Sequence, residues 1–274
     1  MLGFLGIGAQ KAGTTWLFGA LRQHPEVWFP PLGKEVHFFD TVHLRFDGLP
    51  RLRRARLRSE ARLDKLELSG KTAKAAKQRQ RISQRYDPQT AYSAPWYRAL
   101  YDAAPAGRKT GDITPYYCAL PAEGIAEVQQ MMPDTPILYL IRDPLERALS
   151  SVRMMAGQRK KKPEALLANP DFWARGDYAS NIARWDAAFG ADQILYVPFG
   201  EIRDEPEALL CRIEAHLGLA PYRGYKALHD KKKSSASGDW VLSEALRSQI
   251  SEAVAPQYAY LRARFGSAFC DRIR

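Results

Sequence analysis

The chain predicts an α/β protein of three layers, a central parallel sheet between two sets of helices. Three observations carry this. Short apolar runs at residues 2–7, 27–29, 137–141 and 194–197 alternate with longer segments of helical spacing. The run at 137–141 (Ile-Leu-Tyr-Leu-Ile) has no polar alternation, so both of its faces must be covered, as in a parallel sheet. The first run leads directly into a glycine-containing loop and then a helix, the geometry in which backbone N–H groups and a helix N-terminus hold an anion.

The elements follow in order. A helix from Thr14 to His24 is stopped by Pro25, and Val27-Trp28-Phe29 forms a second strand. Pro30-Pro31-Leu32-Gly33 makes a turn. Residues 34–40 then read as extended, with Glu35 and His37 on one face and Val36 and Phe38 toward the core. Residues 48–94 form a basic, polar insertion, read as two helices broken near Ser69-Gly70. Helices are expected to begin near Ala94 and Pro121. The strand at 137–141 leaves through Arg142-Asp143-Pro144 into a helix reaching about Ala156, and Arg159 to Pro163 reads as an exposed basic loop. Further helices cover 178–189, 205–217 and 243–265, with a strand at 194–197 and a polar loop carrying Lys231, Lys232, Lys233 and Ser234.

Composition narrows the class. Apolar residues make up 46% of the chain, ample for a core. The first residues lack the basic start of a signal peptide, and no stretch approaches the ~20 apolar residues of a membrane span. Three scattered cysteines (Cys118, Cys211, Cys270) match no zinc spacing, and a reduced, cytoplasmic setting is expected. The net charge of +11 is local: residues 51–85 hold thirteen Lys and Arg against three Asp and Glu, and the remaining body is nearly neutral. That insertion is open to three readings: a solvated excursion, a lid drawing anionic acceptors inward, or a nucleic-acid-binding arm. The absence of any aromatic residue from Arg51 to Arg85 argues against base stacking.

Three constellations carry the chemistry. In Gly8-Ala9-Gln10-Lys11-Ala12-Gly13-Thr14-Thr15, Gly8 and Gly13 have the separation of a G-x-x-x-x-G-K-[ST] loop, but Thr14 stands where the lysine belongs and Lys11 lies inside the loop. An anion is expected there; ATP with magnesium is not the indicated ligand. Second, Arg142 leaves a strand end, Pro144 opens the next helix without losing a hydrogen bond, and Ser150 follows two turns later, with Arg147 between them. A guanidinium with a hydroxyl suits a phosphate monoester. A surface ion pair of Arg142 with Asp143 or Glu146 is the plainer alternative. Third, Glu35 beside His37 can supply a general base, although a polar edge strand explains the same pattern.

Taken together, Gln10-Lys11-Ala12-Gly13-Thr14-Thr15-Trp16-Leu17, Lys34-Glu35-Val36-His37-Phe38-Phe39-Asp40 and Leu140-Ile141-Arg142-Asp143-Pro144 with Arg147 and Ser150 resemble sulfotransferases. The branch most alike contains heparan-sulfate sulfotransferases and their bacterial relatives. Gly111-Asp112-Ile113-Thr114-Pro115-Tyr116-Tyr117 adds to the likeness, which spans nearly everything except residues 48–94. The resemblance implies a P-loop nucleotide-kinase-like fold in a single domain, residues 1–274, with the basic insertion grafted on. It implies 3′-phosphoadenosine 5′-phosphosulfate as co-substrate, adenosine 3′,5′-bisphosphate as product, and no metal.

By residue, it implies that Gln10, Lys11, Ala12, Gly13, Thr14, Thr15 and Trp16 hold the phosphosulfate end and that Lys11 offsets charge on the bridging oxygen. Arg142 and Ser150 would bind the 3′-phosphate. Glu35 would be the base, with His37 as support or second candidate, and the acceptor a small molecule or carbohydrate. Two departures stand out. Where the heparan-sulfate branch often reads Glu-Lys-Ser-Pro, this chain has Asp112-Ile113-Thr114-Pro115, without the lysine. The late glycine-rich, basic 3′-phosphate loop has only Lys231, Lys232, Lys233 and Ser234 as positional candidates, which a solvated charge run also explains. The rival readings are a metal-dependent P-loop kinase or NTPase and a nucleic-acid-binding module built on residues 51–85.

Overall fold

A five-stranded parallel sheet in the order β2-β3-β1-β4-β5 forms the centre of the computed structural model. The structure describes residues 3–70, 72, 79, 82, 83, 85–159, 163–228 and 243–274. The strands are β1 (Phe4–Gly8), β2 (Val27–Trp28), β3 (Lys109–Ile113), β4 (Ile137–Ile141) and β5 (Ile194–Pro198). β1 and β4 are buried along their whole length, because helices cover both faces. Chain order runs from β1 out to β2 and back to β3 on one side, then crosses to β4 on the other. The loops leaving β1 and β4 are therefore neighbours at a topological switch point, where α/β sheets place their ligands.

Helix α1 (Thr14–Leu21) follows β1, and α2 (Phe38–His43) and α3 (Leu49–Leu68) precede α4 (Ala94–Ala99). Then come α5 (Ala122–Met131), α6 (Pro144–Arg159), α7 (Pro163–Leu167), α8 (Pro170–Ala174) and α9 (Tyr178–Ala188). Last are α10 (Glu201–Asp204), α11 (Pro206–Leu217), α12 (Glu244–Phe265) and α13 (Ser267–Cys270). None of the described helices is long and apolar enough to cross a membrane. Helix starts obey local chemistry: Ser93 caps α4 through Trp96 N, Asn169 caps α8 through Asp171 N, and Asp177 caps α9 through Ser180 N.

Two departures from the sequence reading have clear causes. β3 is a true strand, yet its sequence Lys-Thr-Gly-Asp-Ile carries no apolar run. It is buried because its polar side chains are satisfied internally: Thr110 Oγ1 accepts from Gly3 N at 3.0 Å, and Asp112 accepts from Tyr97 and Tyr117. Gly111 is required there, since the rings of Phe4 and Phe29 occupy the space a Cβ would take. Residues 34–37 are irregular rather than an edge strand, and α2 starts at Phe38 with His37 in the left-handed region (φ 58°).

The insertion packs on one side. Leu52, Ala55 and Leu63 of α3 are buried together with Ile82 and Tyr86, and Ser59 Oγ meets Tyr86 OH at 3.0 Å. Arg53, Arg54, Arg56, Arg58 and Arg62 face solvent on the other side. A solvated excursion therefore describes only its outer face. The expected break at Ser69-Gly70 is present, with Gly70 at φ 77°, but most of the second insertion helix lies outside the described residues. So do Lys160 to Lys162 of the basic loop, and Lys231, Lys232, Lys233 and Ser234.

Candidate active site

The loop after β1 is held by its own backbone. Ala9 N donates to Leu140 O of β4 at 2.8 Å, and Ala12 N donates back to Ala9 O at 3.1 Å. The Ala12 amide is thereby engaged within the loop, and its methyl is buried. Gly13, at φ 90°, precedes α1, and a side chain there would run into Ile202. Thr14 is almost wholly buried, while Thr15 faces solvent. Trp16 is tied away from the loop by donating Nε1 to Leu228 O at 2.9 Å. Gln10 turns the other way, and its Oε1 accepts from Arg175 at 3.4 Å.

Arg142 meets this loop from β4. Its Nη1 donates to Lys11 O at 3.0 Å, its guanidinium lies 4.5 Å from the Phe199 ring centre, and its buried Nε has no partner. The alternative ion pair is weak: Glu146 is 3.7 Å away. Asp143 is engaged elsewhere, capping Glu146 N and accepting from Tyr258 OH and Arg274. Ser150 lies half-buried on α6. Arg147, by contrast, is turned into the interior against Gly176 and is not part of the cleft.

The electrostatics identify a site short of negative charge. The Lys11 ammonium is pushed below its usual value by burial, then by the charges of Arg142, Lys34 and Arg153. Arg142 is lowered by burial, with Arg153 adding to it against the opposing pull of Glu146. Four cations from three elements thus crowd one space, and Lys11 has no carboxylate within ion-pair distance among the described residues. Cations gathered in this way give the space a positive potential suited to an anion.

Facing them is a carboxylate cluster. Glu35 Oε1 takes Lys34 Nζ at 3.2 Å, while Oε2 takes His37 Nε2 at 3.0 Å and Arg51 Nη1 at 2.5 Å. His37 Nδ1 is 2.5 Å from the buried Asp40 carboxylate. Burial works to raise the Glu35 carboxyl, but the His37 hydrogen bond and the Lys34 and Arg51 charges outweigh it and hold it well below the usual range. Burial likewise opposes charge on His37, and its bonds to Asp40 and Glu35 overcome this and raise it. The expected pairing of Glu35 and His37 is present, reached through a left-handed turn instead of a strand.

A buried frame fixes this pair. Thr114 Oγ1 accepts from Val36 N at 3.0 Å and donates to Asp112 Oδ1 at 2.7 Å, and Tyr117 OH accepts from Phe38 N at 2.9 Å. Burial first, opposed by the Thr114, Tyr117 and Tyr97 hydroxyls, leaves Asp112 raised to about 6.

Lys34, Arg51 and Arg153 escaped the sequence reading. Lys34 Nζ touches Thr14 Oγ1 at 2.8 Å, Thr15 Oγ1 at 3.5 Å and Glu35 at once, bridging the anion loop and the carboxylate. Its place next to Glu35 was the available signal. Arg153 lies three residues beyond Ser150, hence on the same face of α6. Arg51 gave no signal beyond being one of thirteen cations.

Comparison with known proteins bears on this geometry. The family model described as "Sulfotransferase family" matches residues 4–223, most of the chain. This protein belongs to the sulfotransferase family. Human heparan sulfate glucosamine 3-O-sulfotransferase 3B1 is 26% identical over 225 residues, covering 78% of this chain and 45% of that protein. The human 3A1 enzyme is likewise 26% identical, over 43% of its length. This chain thus spans less than half the length of either relative. A sulfotransferase from Alicyclobacillus acidocaldarius shares the fold with a TM-score of 0.66 at 22% identity, over 96% of this chain and 95% of that one. The sulfotransferase domain of the Synechococcus PCC 7002 olefin synthase follows with 0.53 at 21% identity, over 92% and 93%. The structural likenesses agree with the parallel α/β sheet.

Proposed function

We propose that this sulfotransferase moves a sulfuryl group from 3′-phosphoadenosine 5′-phosphosulfate to a hydroxyl, less readily an amine, of a small-molecule or carbohydrate acceptor, with Glu35 as base. One observation carries the reading. The Lys34 ammonium lies within hydrogen-bond distance of both the Thr14 hydroxyl at the anion loop and the Glu35 carboxylate. The two ends of an in-line transfer therefore lie within reach of a single side chain.

The residues fit such a nucleotide. Among the described residues Lys11 and Arg153 have no ion pair, Arg142 has only Glu146 at 3.7 Å, and the buried Arg142 Nε is unpartnered. In this reading Arg142 and Ser150, with Arg153, hold the 3′-phosphate. Lys11, Gly13, Thr14 and Thr15 hold the phosphosulfate end, with Gln10 and Trp16 bracing the loop. The donor supplies a sulfuryl group on a phosphate leaving group. Lys11 and the first amides of α1 offset the charge that grows on that leaving group, an effect of about 3–4 kcal/mol per well-placed donor.

Glu35 accepts the acceptor's proton, and His37, hydrogen-bonded between Glu35 and Asp40, keeps the carboxylate aimed. An anion at Thr14 shares the Lys34 ammonium with Glu35 without displacing it, which offsets part of its charge and makes that base stronger. The cations meet the donor's charge without a metal. The whole chain acts as one domain with residues 48–94 inserted, and the three free cysteines suit a cytoplasmic setting.

The names of the human relatives specify glucosamine in heparan sulfate, which favours a carbohydrate among the acceptors. The test is transfer of label from the radioactive donor into an extract of the source organism, with the product identified by mass spectrometry. A labelled product lost in Lys11→Ala supports the reading; absence of any labelled product with native protein refutes it.

A further inference from the structure

Three donors hold Glu35, two of them on Oε2, so an acceptor hydroxyl that takes that oxygen displaces one of its partners. Lys34 and His37 are held from below, with side chains 15% and 5% exposed. Arg51 comes from above, on the first turn of α3, and is 40% exposed. It also lies against His37 Nε2. Asp47 Oδ1 caps the start of α3 through Leu49 N at 3.1 Å, so this turn is built to deliver Arg51 over the base. Of the three, Arg51 is the one that can leave.

The space beyond it says what makes it leave. A cavity of about 350 Å³ opens above Glu35, with Arg51 on its wall. Phe46, Tyr116, Met155, Leu166 and Phe172 give it an apolar side, and Gln10, Asn169 and charged groups make the rest of the wall polar. Arg45 and Arg175 also line it, without ion-pair partners among the described residues, and Arg175 lies 3.9 Å from the Tyr116 ring centre. Two carboxylates are present as well, Asp47 committed to the α3 cap and Asp171 exposed on the rim. A neutral guest leaves Arg51 clamped on Glu35, because a guanidinium shut under a guest gives up its carboxylate only for another anion. A guest with its own acidic group exchanges for Glu35 as the partner of Arg51.

We propose that Arg51 is a specificity latch: the cleft selects an acceptor with an apolar body and an acidic group beside its reacting hydroxyl, and that group draws Arg51 off Glu35. This rests on Glu35 being the base. It assigns a function to the insertion, whose first turn reads the acceptor while its outer face stays in solvent. The groups facing Glu35 are Lys34, His37 and Arg51, with Asp40 behind His37. Loss of Arg51 therefore raises the Glu35 carboxyl toward its ordinary value.

Calorimetric titration tests this with 3-phenyllactate and 3-hydroxydecanoate, each against its methyl ester, with and without adenosine 3′,5′-bisphosphate. Wild-type protein is expected to bind at least one acid tenfold or more tightly than its ester. Arg51→Met is expected to bring acid and ester within about twofold, Arg51→Lys to restore part of the difference, and neither to change bisphosphate affinity more than twofold. The acid limb of the pH–rate profile moves upward in Arg51→Met. Binding of neither acid, equal binding of acid and ester, or an acid preference surviving in Arg51→Met overturns the latch. Failure of the bisphosphate to bind native protein refutes the donor reading instead, and the acid titration without nucleotide still decides the role of Arg51.

Discussion

Arg142 donates from Nη1 to the backbone carbonyl of Lys11 at 3.0 Å, joining residues 131 positions apart in the chain. Together with the Ala9 N–Leu140 O bond it pins the loop after β1 to the end of β4, and so joins the two halves of the proposed anion site. It also aligns the Arg142 guanidinium, whose Nε remains free, with the cation cluster.

Arg142→Ala should weaken adenosine 3′,5′-bisphosphate binding about 10- to 100-fold, the scale of a lost charge-assisted pair. Adenosine 5′-phosphate, lacking the 3′ group, should lose no more than about threefold. Arg142→Lys should not restore the loss, since an ammonium cannot replace a bidentate fork. Equal losses for both nucleotides in Arg142→Ala would reduce Arg142 to a loop brace.

Glu35→Gln should lower turnover by about 10²–10⁴ while bisphosphate affinity stays unchanged, as expected for a base that touches only the acceptor. Steady-state kinetics beside calorimetry separates the two effects. Full activity in the variant would remove Glu35 from that role and move it to His37.

The His37 cluster makes stability depend on pH with a definite sign. His37 is raised above its ordinary 6.5, so its pairing with Asp40 and Glu35 contributes fully below about 6.5 and is lost as pH rises through the folded value. Glu35 runs the opposite way, contributing above its ordinary 4.5 and losing that contribution as pH falls. Urea unfolding at pH 6 and pH 9 should show a drop in the native protein that His37→Gln largely removes. An identical drop in the variant would assign the pH dependence to other groups.

Asp112 gives a separate signature. Its carboxyl is raised from 3.8 to about 6 by burial, so ionising it costs folding energy. Its contribution is greatest below about 3.8 and falls by about 3 kcal/mol as pH rises to 6 and beyond. Asp112→Asn should abolish that slope in denaturant titrations between pH 4 and 7. A slope unchanged in the variant would contradict the buried, strained carboxyl.

Lys34→Met should slow transfer at least tenfold with a melting temperature near that of the native protein. Its backbone carbonyl, which accepts from Ile113 N at 3.4 Å, is untouched by the change. Native-like turnover would show that the bridge between Thr14 and Glu35 is incidental.

Much of this molecule could be read before its structure was seen, for identifiable reasons. β1 and β4 announce themselves because strands buried on both faces must be continuously apolar. The meeting of the Lys11 loop with Arg142 was legible because both leave the carboxyl ends of strands of one parallel sheet. β3 was not, because its burial rests on hydrogen bonds from Gly3, Tyr97 and Tyr117 that no local pattern encodes. Glu35 and His37 were paired for the wrong geometric reason: alternation predicted a shared strand face, whereas a left-handed turn at His37 brings them together. Arg51 was hidden among its neighbours, since only tertiary packing of α3 distinguishes it from Arg53 or Arg54.

The proposed pocket takes adenosine phosphorylated at both the 3′ and 5′ positions. Calorimetric titration in EDTA tests it most directly. Adenosine 3′,5′-bisphosphate should bind with micromolar or tighter affinity without any divalent cation, and ATP should bind at least tenfold more weakly. Tight binding of ATP only when magnesium is added, with none of the bisphosphate, would contradict the account.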